Sequence, residues 1–598
     1  MRESVVSQAR SSSIRRGGLV GQRPPRNRGT DVYVAPRGTG RMAGPHESIR
    51  VFATSRPSLR ELWASRSGHF DRLHLILPSD AVVGEPVTVR LQAWDEYERL
   101  HAIDGSPALA TTDDEATIPD SVSFDGDGPS VGPGDSEGGM TTFEAQFATP
   151  GVQYLTAEYR GKRFVSNPVR VHDSEPDERT LWGDIHLHSS LSDGAGSVAD
   201  GFAFAREVMG LDVCAYTDHD TMGFFIPPRW QRERMHDRYF DQLKRATAVN
   251  HEPGSFVTLF GYEWTKQPSQ GGHINVYFDE IEGAELFDSH ADETNTYEGL
   301  WARLDEWRES GDGDVLTIPH HPAEAMYPFD FAATDYDDDL APLVEVYSQW
   351  GSSERPGREG NRRPITMGHG ETGEPGTYVQ DALALGYRVG LMGSSDYHGP
   401  YPGHSLMHAK PHLPSLEEWR RDGVGWGHIW RVWNEQSYPG GLTAFRAPER
   451  SREAVFDALR SRSVYATTQP DRILAELSVN GTRVGEADST VAVESPTAER
   501  TIQYEVHGTA PLESVTIVKN GEPFYVATGT TDVDAPLSTF GKSGELTDDA
   551  PVTGPTYEDG RGGDADYYYL RAQQATRPDA GYVPGGAAWL GPIWVEAD

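Results

Sequence analysis

The chain has 598 residues, with 53 lysines and arginines against 91 aspartates and glutamates, which gives a formal net charge of −38. This length is too great for a single domain and predicts about three or four. A field so strongly negative repels phosphate backbones and anionic lipid surfaces, so neither nucleic acid nor a membrane is expected as a partner.

The first stretch of the chain, residues 1–45, is rich in arginine, glycine and serine, so we predict a flexible segment. Arg15 and Arg16 resemble the start of a twin-arginine signal, but Gln22, Arg23 and Pro24 follow where an apolar core would be needed. The sequence also lacks any run of about 18 apolar residues, the minimum for a spanning helix. We therefore expect a cytoplasmic protein.

Residues 46–175 are predicted to form a β-sandwich. The segments 73–77, 86–94 and 152–159 alternate apolar and polar residues, and turn residues separate them. Such alternation indicates antiparallel strands with one face buried and the other in solvent.

The next segment carries the most informative motif of the sequence, Asp184-Ile185-His186-Leu187-His188. Side chains alternate along an extended strand, so both imidazoles project from the same face and can converge on one ion. Asp193 follows shortly after, and His219 lies in the later segment 217–220. This pattern predicts a metal site.

Three further clusters of metal-binding residues follow along the chain: Glu263 with His273, His320 with His321, and Asp396 with His398. Each comes after a short apolar run that is typical of a buried parallel strand. Helices are predicted between the runs, for example at 198–209 and 297–309. The repeated order of strand, ligand cluster and helix predicts a β/α barrel over residues 176–470. Its metal-binding residues would lie at the carboxyl ends of the strands.

Residues 471–598 are predicted to form a second β-sandwich. Alternating strands are expected at 473–479, 502–506 and 515–519, and the dipeptides Asn480-Gly481 and Asn520-Gly521 follow two of them. Asn-Gly between alternating strands is a strong hairpin signal. The run Tyr567-Tyr568-Tyr569 fits a carbohydrate-stacking face or, more commonly, cross-strand packing.

The order of the ligand clusters resembles the polymerase-and-histidinol-phosphatase (PHP) superfamily of metallohydrolases. Within it, the chain is most similar to proteins that carry a domain of unknown function (DUF3604) and to relatives of carbaryl hydrolase. The resemblance covers residues 180–470, including the segment 459–468. It implies a distorted (β/α)7 barrel that holds three metal ions, flanked here by N- and C-terminal β-sandwich domains.

Carried over position by position, the resemblance implies three groups of metal ligands. The groups are His186, His188 and Asp396; Glu263, His273 and His321; and Asp193, His219 and His398, with Glu263 bridging the first two ions. Many family members have a histidine in place of Asp193, so the third group is more oxygen-rich here. Imidazole and carboxylate ligands suit Mn, Zn or Fe(II), so the sequence predicts two or three divalent metal ions without choosing their identity.

Closely spaced divalent ions support hydrolysis, because a hydroxide that bridges them is nucleophilic at neutral pH and the ions polarise the electrophile. We therefore predict a metal-dependent hydrolase of a small-molecule ester, with a phosphate ester as the first choice and Glu263 as a catalytic residue. A carbamate or carboxylic ester, as in the carbaryl-hydrolase relatives, is one alternative. The other is a non-catalytic protein whose sandwiches bind a glycan or a partner while the barrel is vestigial. The sequence leaves the oligomeric state open.

Two further residues are predicted to serve the substrate as catalytic residues. His320, next to His321, cannot point the same way in an extended segment, so it is expected to face the substrate or to support a ligand. Arg388 precedes Asp396 and could clamp a developing anion at the rim of the site. The alternative for Arg388 is a surface residue at the end of a helix.

Lysine is scarce in this acidic chain. The six lysines are Lys162, Lys244, Lys266, Lys410, Lys519 and Lys542. Excess carboxylate with little lysine is typical of haloarchaeal-type proteins adapted to high salt, because carboxylates hold hydration and salt screens their repulsion. An ordinary acidic protein with solvating loops is the alternative.

We expect folding of this protein to require molar salt. The Debye length grows from ~3 Å at 1 M to ~10 Å at 0.1 M, so repulsion among the acidic side chains should loosen the fold at low salt. The melting temperature, measured against NaCl concentration, should fall steadily as salt is lowered. An unchanged melting temperature and full activity at low salt would contradict this expectation.

Overall fold

A computed structural model describes residues 57–124, 132–133, 138–311, 313–406, 408–433, 437–577 and 583–597. The segment 1–45, predicted to be flexible, lies outside these ranges. Within them the strands form seven sheets, and most of the helices lie between residues 198 and 460.

The N-terminal part folds into small sheets around a core of its own, in which Leu75, Val89, Leu91 and Ala157 are fully buried. Its strands are β1 (Phe70–Ile76), β2 (Asp80–Val82), β3 (Pro86–Asp95), β4 (Ala108–Thr111), β5 (Met140–Gln146), β6 (Gly151–Gln153), β7 (Leu155–Tyr159), β8 (Lys162–Val165) and β9 (Val169–His172). They pair as β1-β3-β5, β2-β9-β6 and β4-β7-β8. In place of the predicted sandwich, the strands of this part are divided among three small sheets, and β2, β4 and β6 have only three or four residues each.

The middle of the chain carries the ligand clusters. Its strands are β10 (Arg179–Asp184), β11 (Val213–Cys214), β12 (Val257–Thr258), β13 (Phe260–Trp264), β14 (Ile274–Phe278), β15 (Val315–Pro319), β16 (Leu343–Ser348), β17 (Gly351–Ser352), β18 (Gly390–Gly393), β19 (Gly441–Ala447) and β20 (Val464–Thr468). Strands β10, β11 and β12 are parallel, whereas β13, β14 and β15 form an antiparallel sheet. Strand β16 pairs in parallel with β18 and antiparallel with β17.

The predicted (β/α)7 barrel is therefore wrong. The strands are divided among separate sheets, and only some of the pairs are parallel. Strands β13, β14 and β15 are buried at every position. Burial on both faces removes the alternation that distinguishes antiparallel from parallel strands in a sequence, so the apolar runs could not reveal the difference.

Five of the C-terminal strands extend a sheet of the middle of the molecule, and the other four form a sheet of their own, in the order β22-β21-β24-β27, in place of the predicted separate sandwich. They are β21 (Leu474–Val479), β22 (Thr482–Arg483), β23 (Thr490–Val493), β24 (Arg500–His507), β25 (Leu512–Lys519), β26 (Glu522–Thr528), β27 (Gly541–Asp548), β28 (Asp566–Gln574) and β29 (Ala587–Ala597). One ten-stranded sheet runs in the order β12-β11-β10-β19-β20-β29-β28-β25-β26, with β23 also paired to β29. The join is made by β20 and β29, where Ala466 lies opposite Trp589. The domain divisions at residues 45, 175 and 470 stay predictions.

Both predicted Asn-Gly hairpins are confirmed. Asn480 and Gly481 have φ of 50° and 85°, and Asn520 and Gly521 have φ of 49° and 86°. Positive φ at both central residues is what a tight turn between right-twisted strands requires. The first turn joins β21 to β22, and the second joins β25 to β26.

The helices are short and lie mainly beside the middle strands. They are α1 (Leu59–Ala64), α2 (Val198–Ala203), α3 (Pro228–Arg234), α4 (Phe240–Asn250), α5 (Tyr297–Ser310), α6 (Val379–Ala384), α7 (Leu416–Asp422), α8 (Trp426–Trp433) and α9 (Arg452–Arg460). A π-helical turn at Phe204–Val208 continues α2, so both helices predicted in this region, 198–209 and 297–309, are confirmed. Within the described ranges, every helix is too short or too polar to span a bilayer.

Candidate metal centre

Two ligand segments that are far apart in the sequence run side by side after β10 and β18. The amide of Asp396 donates to the carbonyl of His186 at 2.9 Å, and the amide of His188 donates to the carbonyl of Tyr397 at 3.0 Å. Leu187 and Tyr397 form a parallel bridge between them. Asp396 has a φ of 51°, in the left-handed region, as is common where a functional site over-determines the backbone.

The first acid of the motif, Asp184, supports these segments and does not join the ligands. Its carboxylate accepts hydrogen bonds from the amides of Ser395 at 2.9 Å and Gly403 at 2.8 Å, and from the side-chain amide of Gln469 at 3.1 Å. These bonds fix the end of β10 against the loop that carries Asp396. Asp218 plays the same part on the other side, because it accepts from the amides of Ser189 and Ser192 in the loop leading to Asp193.

The first predicted ligand group lies together in the structure and is almost fully buried. His188 Nε2 is 3.2 Å from Asp396 Oδ1, and His186 Nε2 is 3.4 Å from the same oxygen. Both nitrogens also approach Glu263 Oε2, at 3.2 Å from His186 and 3.1 Å from His188. The four donor atoms that approach one another are His186 Nε2, His188 Nε2, Asp396 Oδ1 and Glu263 Oε2.

The third predicted group also lies together, and His188 joins it. Asp193 Oδ1 is 3.6 Å from His219 Nε2 and 3.5 Å from His398 Nε2. The His188 ring lies 4.2 Å from the His219 ring and 4.3 Å from the His398 ring, measured between centroids. One donor atom from each of these four residues falls within 4.8 Å of the others.

Glu263 connects the groups. Its Oε2 faces His186 and His188, whereas its Oε1 lies 2.7 Å from His273 Nδ1 and 3.0 Å from His219 Nδ1. A carboxylate whose two oxygens serve different sets of imidazoles has the geometry of a bridge between two ions. His321 is set apart from Glu263 but lies with His273 and His320 in one further group of donors.

The residues fit a metal centre on two observations. Ligand atoms about 2.1 Å from a shared ion lie roughly 3.0–3.5 Å apart, and the contacts among these donors fall close to that range. In addition, His219 Nε2, Asp193 Oδ1 and both nitrogens of His188 are buried without a hydrogen-bond partner in the described chain, although other donors lie within 3.1–3.6 Å. Buried polar atoms are normally paired, so close approach without hydrogen-bond alignment indicates donors arranged around a common ion.

Several of the imidazoles are held from outside through the nitrogen that faces away from the centre. His186 Nδ1 lies 2.8 Å from Glu345, His273 Nε2 lies 2.9 Å from the carbonyl of Lys266, and His398 Nδ1 lies 3.0 Å from the carbonyl of Asp396. Partners of this kind fix the ring orientation and the tautomer of histidines that bind metal.

The pKa values of the buried side chains in the site are shifted in different directions. Burial opposes ionisation of Glu263 and Asp396, but the imidazoles around them hold the pKa of both carboxyls well below the usual range. Burial lowers the pKa of His321 to about 3 and that of His398 to about 4, which leaves a lone pair available for a metal. Burial acts the same way on His188, but Asp396 and Glu263 raise its pKa to about 10.

His320 does not lie where an extended segment would put it. Both His320 and His321 line the same cavity, and their rings are 4.3 Å apart. The chain turns at His321, whose φ is 33°, so the opposite-facing rule for neighbouring residues does not apply. His320 forms candidate ligand groups with His273 and His321 and with His186 and Glu345, so it lies among the donors that could hold a metal, and its role toward the substrate stays a prediction.

Arg388 lies away from the cavity at the histidine cluster, and its catalytic role stays a prediction. Its guanidinium donates to Thr490 Oγ1 at 2.9 Å, pairs with Glu596 and stacks 5.5 Å from the centre of the Trp594 ring. These residues belong to β23 and β29, and Arg388 does not line the cavity at the histidine cluster. Spacing along the chain suggested that Arg388 lies near Asp396, but Arg388 precedes β18 and its side chain contacts the C-terminal strands.

We expect Arg388→Ala to leave kcat within about twofold of the wild-type value. The free energy of unfolding should fall by up to about 1 kcal/mol, as is usual for a partly exposed ion pair. Steady-state kinetics with denaturant unfolding measures both effects. A tenfold loss of kcat with unchanged stability would restore the predicted role in catalysis.

The sequence interpretation missed Glu345, which is buried on β16 and contacts His186. Its signal was a single acid in the otherwise apolar run Leu343-Val344-Glu345-Val346. A carboxylate in a fully buried strand is costly unless it is paired, so an acid in such a run should have been weighed as a site residue.

A cavity of about 200 Å³ opens onto the metal-binding donors. Away from them its wall is apolar and aromatic. The wall residues are Met222, Phe225, Pro268, Met326, Tyr327, Trp350, Met367, Trp426 and Trp430. Neither lysine nor arginine is among the described residues that line the cavity. Phe225 stands at its mouth, 55% exposed and with a φ of 52°.

Helix α8 supplies two of the three tryptophans of this wall. Trp426 and Trp430 stack with centroids 5.2 Å apart, and the Trp430 ring lies 5.1 Å from that of His398. The helix is fixed to the ligand loops, because the amide of Trp426 donates to the carbonyl of Asp193 and that of Gly427 to the carbonyl of His398. A Cβ at Gly427 would come within 2.2 Å of that carbonyl oxygen, so this close approach requires glycine.

Comparisons with known protein sequences match part of the chain to proteins of unknown function. The model of DUF3604, a family of proteins of unknown function, matches residues 213–341 and 376–488, which is less than half of the chain. An uncharacterized protein of Chlamydia pneumoniae is 25% identical over 439 residues, which span 72% of this chain and 60% of the relative. One of Chlamydia trachomatis is 24% identical over 460 residues, spanning 75% and 63%. This chain thus spans about three fifths of the length of these curated relatives. The relatives are chlamydial and give no support to a haloarchaeal origin.

A solved structure with some likeness is a two-domain protein of Bacteroides vulgatus, described as containing a predicted PHP-like metal-dependent phosphoesterase. It is 15% identical, with a TM-score of 0.31, and the match covers 70% of this chain and 97% of that one. A likeness at this level does not establish a shared fold.

Proposed function

We propose that the protein is a metal-dependent hydrolase that acts on a phosphate ester. The observation that carries this proposal is the buried cluster of imidazoles and carboxylates joined by the two oxygens of Glu263. A cluster of this composition suits two or three ions of Mn, Zn or Fe(II). Bound divalent ions would lower the pKa of water and polarise the phosphoryl oxygens.

The protein's own residues would orient the substrate and exclude water. Glu263 and Asp396 bring negative charge to the centre, and the neutral imidazoles of His321 and His398 offer lone pairs to it. The tryptophans of α8 cover one side of the cavity and keep bulk solvent from the reacting bond. Neither serine nor cysteine is among the described residues lining the cavity, so no side-chain nucleophile of that kind is proposed.

Tyr327 is suited to donate a hydrogen bond to the substrate. Its ring packs 4.3 Å from that of His273 and lines the cavity. Burial raises the pKa of Tyr327 well above its ordinary value, so the hydroxyl stays protonated. A neutral donor at this position can stabilise negative charge on an ester oxygen as the bond breaks.

Tyr327→Phe should lower kcat by up to about 10²-fold, the effect of losing one donor to a developing anion, while metal content stays the same. The matched control is Tyr336→Phe, because the Tyr336 hydroxyl donates to the carbonyl of Ala341 at 2.9 Å and not to the cavity. Equal kcat for Tyr327→Phe and the control would remove Tyr327 from the mechanism.

A second candidate function is hydrolysis of an aryl carbamate or carboxylic ester. The cavity wall favours this function, because it is apolar and aromatic and its described residues include no basic side chain. Such a wall binds a flat uncharged group better than it binds a charged phosphate. The metal-binding donors would serve both reactions, since both develop charge on oxygen.

The test is a panel of chromogenic substrates with the protein reconstituted in Mn or Zn. 4-Nitrophenyl phosphate, bis(4-nitrophenyl) phosphate, 4-nitrophenyl acetate and 1-naphthyl N-methylcarbamate separate the two candidates. The phosphoesterase proposal expects kcat/KM to be highest for one of the two phosphates, and loss of that activity in Glu263→Gln. Preference for the acetate or carbamate would establish the second candidate, and no turnover of any of the four would count against both.

A further inference from the structure

Glu345 occupies a position in the candidate centre unlike that of any other carboxylate in it. It lies in the middle of β16, which pairs with β18, the strand that leads to Asp396. On its other side it forms a bridge with His320. Glu345 therefore sits between the two chain segments that carry His320 and Asp396, with its side chain turned toward His186.

The two nitrogens of the His186 ring have different neighbours. Nδ1 lies 2.8 Å from Glu345 Oε2, while Nε2 faces Glu263 Oε2 at 3.2 Å and Asp396 Oδ1 at 3.4 Å. An imidazole that donates from Nδ1 carries its lone pair on Nε2. The contact thus selects the tautomer in which the free lone pair points at the other ligands.

The acceptor on His186 also differs in charge from those on two other imidazoles of the centre. His273 and His398 are held by backbone carbonyls, which are neutral. His186 is held by a carboxylate whose side chain is 1% exposed, so the interaction is little weakened by solvent. A charged acceptor makes the opposite nitrogen a stronger donor to a metal than a neutral acceptor does.

We propose that Glu345 is a positioning residue that fixes the tautomer of His186 and thereby sets the metal affinity of the centre. This proposal rests on the proposed function, because it needs the cluster to bind metal. Glu345 would act through His186 and not as a ligand itself. The second oxygen, Oε1, is buried without a hydrogen-bond partner in the described chain, and Glu345 shares a group of possible ligands with His186 and His320.

The test measures binding of Co²⁺ alone to the full-length protein, without substrate. Competition with a chelator gives the affinity, and the visible absorption of bound Co²⁺ reports its ligand geometry. Glu345→Gln should weaken Co²⁺ binding by about 10–100-fold and change the absorption spectrum, while the number of ions bound at saturation stays equal to that of the wild type. The matched control is Glu354→Gln, which alters a carboxyl that is equally buried but bonded to Tyr569 and Trp589, away from the centre. Its affinity and spectrum should match the wild type.

Each other outcome has a distinct meaning. Unchanged affinity and spectrum in Glu345→Gln would overturn the proposal, and loss of one ion at saturation would overturn it in favour of a direct ligand. If the wild type bound no Co²⁺, the proposed function would fail first. Should Glu345→Gln not fold, Glu345→Asp carries the test, because its shortened carboxylate keeps the charge but loses reach to His186. It too should bind the full number of ions with weaker affinity, and wild-type affinity in Glu345→Asp would overturn the proposal.

Discussion

Replacement of Glu263 by glutamine is expected to lower kcat by at least about 10²–10³-fold, more than the loss of any single histidine of the centre. Each oxygen of Glu263 faces a different set of imidazoles, at 2.7–3.2 Å. Glutamine has nearly the same shape but replaces one carboxylate oxygen with an NH2 group, which carries no charge and cannot bind a cation. One of the two sets would therefore lose its shared carboxylate.

The comparison that isolates the bridge uses His273→Ala. That variant removes one imidazole from the Oε1 side and leaves both carboxylate oxygens in place, so it should retain more activity than Glu263→Gln. Elemental analysis of both variants after reconstitution should show the larger loss of metal for Glu263→Gln. Near wild-type turnover in Glu263→Gln, together with an inactive His186→Ala, would show that Glu263 is no bridge.

The ligand residues were predictable where a local rule sufficed. Alternation along an extended segment predicted that His186 and His188 face one way, and their Nε2 atoms both lie close to Glu263 Oε2. The same rule failed at His320 and His321, because a positive φ at His321 turns the chain and brings both rings to one cavity. A backbone angle of this kind has no dependable signature in a residue pair such as His-His.

Long-range placement could not be derived from spacing along the chain. Arg388 and Asp396 are close in sequence, but Arg388 lies against Trp594 of β29. Glu345 is far from His186 in sequence, but its Oε2 lies 2.8 Å from His186 Nδ1. Both outcomes depend on which strands pair, and the strand pairing was the part of the fold that the apolar runs left undetermined.

The prediction of the overall architecture was wrong because the sequence does not determine which strands pair. Runs such as β13 and β15 are buried on both faces, so they contain no alternation from which to infer their direction. The Asn-Gly turns were predictable because their φ angles are a local requirement, satisfied at Asn480 and Asn520. The ten-stranded sheet was not, because β20 and β29 pair across more than a hundred residues.

Removal of metal is expected to destabilise the protein as well as inactivate it. An ion held at 100 times its dissociation constant stabilises the folded state by about 2.7 kcal/mol, so two independent ions would contribute about 5 kcal/mol. Without them, the buried donors of Asp193, His188 and His219 have no hydrogen-bond partner in the described chain. The melting temperature should therefore drop by several degrees in excess chelator and recover when Mn²⁺ or Zn²⁺ is restored.

The control is the double variant His186→Ala/His188→Ala, which lacks both nitrogens next to Asp396 Oδ1. Its melting temperature should respond much less to either treatment. An identical chelator response in wild type and double variant would mean that the stabilising ions bind elsewhere.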